Sequence, residues 1–586
     1  MRGALLPTLW LLPLLAAAQP APPQVPASAG EVAGRPAAAT DPRLPLLAEM
    51  AAELQRNRQA LRLEGYDAPY FISYQVGEVH RRVLGARFGA LDADATVHSR
   101  GAHVEVRVGD YQLDSAGVDA TDYERYVAYQ PSEELPLEDD PAALRGALWL
   151  LTERKYKEAI ASLLKKKAKG VYTAKKNEVP DFSKESPTTH LDAPLRLTID
   201  EARWKPLLRD IARQICHRTE VFDSSVKLVA EHQRRWQVNT EGSRILTERT
   251  LYSLHVVAYT RAEDGMLLDN ERMFYASRDD RLPDATHLAQ EVEELLTELL
   301  LLRQAPLLDP YVGPAIFEPE AAGVLFHEAV GHRLEGQRQK DNSNEGQTFK
   351  GRIGERILPT FLDVRDDPTL TAAAGEELNG FYRIDEEGVP AQRVTLVEQG
   401  VLRGFLMSRT PIEGQERSNG HGRAQLGYAP VGRMGNLIIG SSRQVAPPQL
   451  AQRLLAEVRR QKKPYGLIIG DLAGGSTNTS TFGYQAFKGS SRLVWKVDAQ
   501  TGARTLVRGV EIVGTPLTSV NKILVTSSEL GVFNGFCGAE SGAVPVSVIA
   551  PAVLIEEIEL QRASRDEDRG PLLPPPWREE PELLRR

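Results

Sequence analysis

The segment His327-Glu328-Ala329-Val330-Gly331-His332 constrains the fold of this chain more than any other, because its chemistry requires a helix that is also broken. Two imidazoles around a carboxylate suit zinc, which binds neutral nitrogens and needs a nearby base for hydrolysis. In the common zinc-protease pattern the histidines are i and i+4, about 40° apart around a helix. Here they are i and i+5, about 140° apart. The sequence therefore predicts a kink or a π-bulge at Gly331.

The residues around this segment predict a helix. Glu318-Pro319-Glu320 is a typical start, with proline in the first turn and acids near the positive end of the helix dipole. Gly336 is a plausible end. The apolar residues between them predict a buried face: Leu325, Phe326, Val330 and Leu334. The competing interpretation is that both histidines are hydrogen-bonded core residues without a metal.

Chain length and composition predict two soluble globular domains. A chain of 586 residues is too long for one ordinary core. Its 42% hydrophobic and 26% charged residues are typical of globular proteins. A net charge of -8 and the lack of a DNA-reading motif give no reason to expect a nucleic-acid partner.

Residues 1–18 have the form of a signal peptide. Arg2 is the basic region, Ala4–Leu15 is an apolar run, and Ala16–Ala18 fits a cleavage site. The run is short and contains prolines, which argues for cleavage rather than a retained anchor. We therefore expect an exported protein, periplasmic or extracellular, with no membrane span after signal cleavage.

The remaining chain is predicted to be an α+β protein of two domains. Residues 19–45 form a linker rich in proline and alanine, and residues 46–305 an N-terminal α+β domain. Residues 311–562 form a C-terminal, mostly antiparallel β domain that carries the helix of the histidine pair. Residues 563–586, rich in Arg, Glu and Pro, are predicted to be disordered.

A zinc site needs a third protein ligand, and the sequence offers three candidates of similar merit. Cys537 lies between glycines in Asn534-Gly535-Phe536-Cys537-Gly538, a predicted turn. Glu335 is three residues beyond His332, and His421 lies in another glycine-rich segment. An exported chain could instead join Cys537 to Cys216 in a disulfide.

Several short motifs of the second domain resemble the TldD/PmbA family of metallopeptidases, in family order. They are Glu320-Ala321-Ala322-Gly323 before the histidine segment, Asp385-Glu386-Glu387-Gly388-Val389-Pro390, Asn419-Gly420-His421-Gly422-Arg423, Arg433-Met434-Gly435-Asn436 and Phe536-Cys537-Gly538. Within the family, TldD-type chains carry the metal motif and PmbA-type partners lack it. This chain resembles the catalytic type. It departs from the family by its signal peptide and at residues 539–543.

The resemblance implies a zinc ion (Zn2+) held by His327, His332 and Cys537, with Glu328 as the general base. It also implies a homodimer, or a heterodimer with a PmbA-like subunit, whose enclosed site admits small peptides or unfolded protein. His421 or Arg423 is a candidate to stabilise the oxyanion. The alternatives are a non-catalytic exported binding protein with a structural metal site, and a disulfide-bonded scaffold without metal.

Overall fold

The structure is a computed structural model that describes residues 41–116, 133–172, 179–340, 349–477, 487–514, 516–563, 571 and 573–585. The predicted signal peptide and most of the predicted linker, residues 1–40, lie outside the described residues. No helix among the described residues is long and apolar enough to cross a membrane.

The N-terminal domain is built on one sheet of long antiparallel hairpins. Its seven strands are β1 (Pro69–Arg87), β2 (Ala90–Val108), β3 (Glu133–Glu134), β4 (Thr189–Leu191), β5 (Val221–Asn239), β6 (Arg244–Arg261) and β7 (Leu267–Ala276). The strand order is β3-β2-β1-β5-β6-β4, and β7 also pairs with β6. Strands of 18 or 19 residues give the sheet two long faces.

Four helices cover one face of this sheet: α1 (Leu44–Ala60), α2 (Pro141–Tyr172), α3 (Glu201–Cys216) and α4 (Ala285–Gln304). The side chain of Asp200 accepts from the backbone N of Arg203 and so caps α3. The cover is divided between two separate cores. Helices α1 and α2 pack on one end of the strands, around Tyr74 and Trp236. Helices α3 and α4 pack on the other end, around Leu84 and Leu254.

The C-terminal domain is a larger sheet of 12 strands with helices packed around it. The strands in this domain are β8 (Tyr311–Phe317), β9 (Leu362–Asp366), β10 (Ala372–Ala373), β11 (Glu376–Glu377), β12 (Val394–Glu398), β13 (Val401–Leu402), β14 (Gly422–Arg423), β15 (Val431–Gly432), β16 (Asn436–Ser441), β17 (Gln444–Val445), β18 (Tyr465–Thr477), β19 (Phe487–Asp498), β20 (Arg504–Val507), β21 (Val510–Gly514), β22 (Ile523–Ala539) and β23 (Gly542–Arg562). Two short pairs, β10 with β11 and β14 with β15, stand apart from the large sheet.

The large sheet is mostly antiparallel, as predicted, and part of it closes on itself. Three pairings are parallel: β16 with β23, β18 with β8, and β17 with β22. Strands β8, β18, β19, β21 and β23 pair in a ring, because β8 bonds both to β18 and to β23. The α+β fold class is confirmed.

The helix of the histidine segment, α5 (Pro319–Ala329), packs against this ring. Residues 321–329 are all buried, so the helix contacts protein on every side, which explains its nearly continuous apolar sequence. The remaining helices of the domain are α6 (Gln337–Lys340), α7 (Pro447–Arg460) and α8 (Pro516–Asn521). Ala322 and Phe326 belong to a core that also includes Val548 of β23.

Three details differ from the sequence predictions. The first helix begins at Leu44, inside the predicted linker, with Pro45 in its first turn. Two predicted late strands, 544–549 and 553–560, are parts of the single strand β23. The predicted disordered tail forms short helical turns at 576–585, α9 (Pro576–Glu579) and a 3-10 turn, where the Trp577 ring lies 5.6 Å from that of Phe88.

Candidate metal centre

Helix α5 ends between the two histidines, and this break sets their geometry. The α-helix stops at Ala329, Val330 leaves helical conformation (φ -121, ψ -49), and residues Gly331–Leu334 form a 3-10 turn. The predicted kink is confirmed, whereas the alternative of a π-bulge and the predicted helix end at Gly336 are wrong. The tighter turn brings the rings of His327 and His332 to 4.9 Å between centroids.

Two contacts explain why the helix ends here. A Cβ atom on Gly331 would lie 2.1 Å from Sδ of Met434, so any other residue here would force the Met434 side chain to move. The guanidinium of Arg333 donates from Nη1 to the carbonyls of Glu328 and Ala329, at 2.9 and 3.0 Å. These are carbonyls of the last helical turn, which would otherwise be buried without partners.

Cys537 approaches the two histidines from the long hairpin of β22 and β23. It lies within β22 opposite Val544, so the predicted glycine-flanked turn is wrong: the strand continues to Ala539. Its Sγ lies 3.1 Å from Nε2 of His327 and 3.4 Å from Nε2 of His332. The ligand atoms of the three residues lie within 4.8 Å of one another, and all three residues are buried.

The surroundings of Cys537 favour the thiolate. Burial opposes ionisation, but the imidazoles of His332 and His327 and the guanidinium of Arg433 hold the pKa of the thiol well below its usual range. Arg433 is wholly buried and donates from Nη2 to the backbone carbonyl of Cys537 at 2.7 Å. A thiolate is the form in which cysteine binds a metal.

Glu335, a rival third ligand in the sequence, lies on the far side of His332. Its Oε2 is 3.1 Å from Nδ1 of His332, whereas Nε2 of His332 is the nitrogen that faces Cys537. Arg338 donates to the same oxygen at 2.8 Å, and Nε of Arg433 lies 3.4 Å from Oε1. Burial opposes the charge, but His332 and Arg338 lower the pKa of Glu335 below its usual value. Glu335 thus orients His332 from outside the ligand set.

The structure does not join His421 or Arg423 to the three ligands by any hydrogen bond between described residues. His421 is fully buried, with Nδ1 3.0 Å from the carbonyl of Asn419 and Nε2 3.2 Å from Oδ1 of Asp366. Arg423 donates from Nη1 to the backbone carbonyls of Met434 and Pro545, both at 2.8 Å. Both residues therefore hold loops together in this structure.

Both cysteines are free. Cys216 is buried at the end of α3 in the N-terminal domain, and Cys537 lies beside the histidines of the C-terminal domain. The predicted alternative of a Cys216–Cys537 disulfide is therefore not the arrangement found.

The donor set fits zinc. Two imidazole nitrogens and one thiolate are chemically suitable, and three protein ligands leave a position open, as in catalytic zinc sites. Among the described residues no fourth His, Cys, Asp or Glu joins the group. Nδ1 of His327 is buried without a hydrogen-bond partner in the described part of the chain, while Nδ1 of His332 is held by Glu335.

A cleft between the two domains reaches the hairpin that carries Cys537. Its walls include Arg235 and Arg249 from the N-terminal sheet and Tyr382, Arg423 and Val544 from the C-terminal domain. Val544 is the residue paired with Cys537 across the hairpin. The broken helix and the distant hairpin therefore define a candidate site for one metal ion.

Comparison with known proteins identifies relatives of the C-terminal domain. Residues 311–562 match the model of the PmbA/TldA metallopeptidase C-terminal domain. This domain is thus similar to that of the PmbA/TldD family, as its motifs indicate.

Its relatives include several proteins named metalloproteases. It is 30% identical over 249 residues to the "Metalloprotease TldD homolog" of Haemophilus influenzae, covering 42% of this chain and 47% of that protein. It is 27% identical over 348 residues to a "Metalloprotease" of Archaeoglobus fulgidus, covering 59% of this chain and 74% of that protein. A "Zinc metalloprotease TldD homolog" of Saccharolobus solfataricus is 23% identical over 345 residues, covering 57% of this chain and 70% of that protein. The match thus spans about half the length of the Haemophilus protein.

Solved structures show the same fold at low identity. A putative modulator of DNA gyrase from Thermotoga maritima superposes with a TM-score of 0.58 at 15% identity, covering 87% of this chain and 100% of that one. TldE from Thermococcus kodakarensis superposes with a TM-score of 0.55 at 14% identity, covering 88% of this chain and 100% of that one.

Proposed function

We propose that this protein is an exported zinc-dependent peptidase that cleaves small or unfolded peptides. The observation that carries the proposal is the convergence of His327, His332 and Cys537, which come from a broken helix and a distant hairpin, on one buried point. The names of the relatives support a metallopeptidase, and one of those names includes zinc.

In this mechanism His327, His332 and Cys537 hold the ion. When bound, zinc supplies Lewis acidity: it polarises a carbonyl oxygen and makes water acidic near neutral pH. Glu335 accepts a hydrogen bond from Nδ1 of His332, which leaves the lone pair of Nε2 for the metal.

Glu328 is the proposed general base. It directly follows His327 on α5 and is 7% exposed, so it is largely shielded from bulk solvent. Its carboxylate takes a proton from the attacking water and returns it to the leaving amine. The peptide would reach these groups through the interdomain cleft.

The decisive experiment compares the mature chain with Glu328→Gln. We expect the variant to retain the zinc of the wild type, measured by elemental analysis, and to lose cleavage of a peptide library by a factor of about 10² to 10⁴. Glu320→Gln, at the start of the same helix, is the control and should cleave normally. Loss of zinc together with activity in Glu328→Gln would make Glu328 a structural residue or a ligand, against the proposal.

Export and assembly are further parts of the proposal. The form of residues 1–18 supports export, and the N-terminal residue of the secreted protein would test it. The family supports a homodimer or a heterodimer with a PmbA-like subunit that encloses the site. The molar mass of the purified chain, alone and with such a subunit, distinguishes these assemblies from a monomer.

A further inference from the structure

A band of polar side chains crosses the helix-covered face of the N-terminal sheet. On β1 the residues of this face are buried and apolar at both ends, with Tyr74 and Val76 in one core and Leu84 and Ala86 in the other. Between these ends the same face carries Glu78, His80 and Arg82. The band therefore marks where the cover of α1 and α2 ends and that of α3 and α4 begins.

Strand register places three histidines in one row across this band. His80 on β1 is paired with His98 on β2 and with His232 on β5. Paired residues of neighbouring strands project from the same face, so the three imidazoles stand side by side. The ring of His80 is stacked on that of His98 at 3.9 Å between centroids and lies 6.2 Å from that of His232.

The carboxylate of Glu78 completes a group of three possible ligands. Its Oε1 is 3.0 Å from Nε2 of His98, and its Oε2 is 3.7 Å from Nε2 of His80, longer than a hydrogen bond. The ligand atoms of Glu78, His80 and His98 all lie within 4.8 Å of one another. Arg100 and Arg234 donate to Glu78 at 2.7 and 3.1 Å and hold its carboxylate in place.

The group is fixed at its base and open at its top. Glu78 is 4% exposed, whereas the side chains of His80 and His98 are 40% and 32% exposed. An ion can therefore enter from solvent, and the two rings have room to turn their nitrogens toward it. His232 is held differently, because it is buried and its Nε2 lies 2.9 Å from Glu248.

We propose that Glu78, His80 and His98 form a second metal site, which binds a divalent transition-metal ion such as zinc. Two imidazoles and one carboxylate are a known ligand set for such ions, and hard ions such as magnesium prefer oxygen ligands only. Arg100 and Arg234 carry positive charge close to Glu78 and oppose a cation there. The site is therefore weaker than the one at Cys537, and it joins β1 to β2 between the parts of the sheet that the described helices cover.

Zinc binding by the full-length chain, stripped with a chelator and then titrated, tests this site. We expect the wild type to bind one zinc ion more than His80→Asn/His98→Asn. Binding at the weaker step should fall by more than about 100-fold in that variant, since loss of an outer partner alone costs about 10- to 100-fold. His287→Asn, which removes an exposed histidine of α4 paired with Glu291 at 3.3 Å, is the control and should bind like the wild type.

Cobalt separates the two sites, because absorption from a cobalt–thiolate bond arises only where Cys537 is a ligand. The second cobalt ion should add visible bands without further thiolate absorption, and His80→Asn/His98→Asn should lack only those bands. Equal stoichiometry and affinity in wild type and double variant would overturn the proposal, as would equal loss in the control. His80→Asn alone gives the same test should the double variant fail to fold, which circular dichroism reports.

Discussion

The two domains each gather histidines, but by different structural means. In the C-terminal domain a broken helix and a distant hairpin enclose His327, His332 and Cys537, all buried. In the N-terminal domain the register of long strands aligns His98, His80 and His232, with the first two partly exposed. The first cluster depends on a break in regular structure and the second on its regularity.

The charges around the two clusters differ as well. A thiolate lies among the imidazoles of the buried cluster, and Arg433 donates to the backbone carbonyl of that cysteine and stabilises the thiolate charge. In the polar band two guanidinium groups bond directly to the candidate carboxylate ligand, Glu78. We therefore expect a cation to bind more weakly in the polar band, where the two guanidinium groups oppose it, than at the buried cluster.

Replacement of the thiolate is the strongest test of the buried cluster. Cys537→Ser should weaken zinc binding by more than about 100-fold, because a ligand contributes more than its outer partners do, and should abolish peptide cleavage. Competition with a chromogenic chelator measures the affinity. Cys216→Ala, at the other buried cysteine, should keep its zinc. Equal zinc loss in both variants would show that Cys537 does not act as a ligand of its own.

Acid should weaken the N-terminal domain through Glu248, at the edge of the polar band. Burial opposes its charge, but His232 and Arg43 lower the pKa of Glu248 from 4.5 to about 2. Because the pKa is lowered in the folded state, this stabilisation is present above pH 4.5 and is lost as the pH falls through about 2. The free energy of unfolding should fall by roughly 3 kcal/mol from this group.

Denaturant unfolding of wild type and Glu248→Gln between pH 2 and 6 measures this effect. The variant should be the less stable at pH 6, and the difference should shrink toward pH 2. Glu398→Gln, at a largely exposed glutamate, controls for surface charge. A constant difference between wild type and Glu248→Gln across the range would contradict the assignment.

The fold was predictable where patterns are local. The start of α5 at Glu318-Pro319 and its buried apolar face each depend on a few neighbouring residues, and the structure contains both. The ring of five strands was not predictable, because it depends on β8 pairing with β18 and with β23, far away in sequence. Single-sequence patterns contain no information on such partners.

The candidate metal site was likewise predictable only where its residues are close together in the sequence. The spacing of His327 and His332 indicated both a metal and a break, since a straight helix would separate the rings. Local chemistry left Cys537, Glu335 and His421 as equal candidates for the third ligand. In the structure Cys537 faces Nε2 of His332 and Glu335 bonds to Nδ1, whereas His421 bonds to Asn419 and Asp366. Arg433 and the histidine row were missed, since a buried arginine and strand register leave no local signal.

Glu335→Gln tests whether the outer partner of His332 matters to the buried cluster. It should lower zinc affinity about 10- to 100-fold, because the charge that orients Nδ1 of His332 is lost. Glu540→Gln is a matched control: Glu540 also pairs with Arg338, at 3.0 Å, and makes no hydrogen bond to His332. Similar losses in both variants would place the effect on Arg338 instead of His332.

The last comparison uses two glycines near the ligands to ask what sets the break in α5. The two candidate causes are contact with Met434 and the helical preference of the residue at 331. Gly331→Ala puts a Cβ against Met434, whereas a Cβ at Gly538 would have no neighbour within 4 Å. Alanine also favours continuation of α5, which would place His332 about 140° around the helix from His327. We expect Gly331→Ala to cost about 1 kcal/mol or more in thermal unfolding and to weaken zinc binding, with Gly538→Ala near the wild type. Gly331→Ala/Met434→Ala should recover part of both losses. Recovery would mean that contact with Met434 sets the break; no recovery would mean that the helical preference of alanine alone misplaces His332.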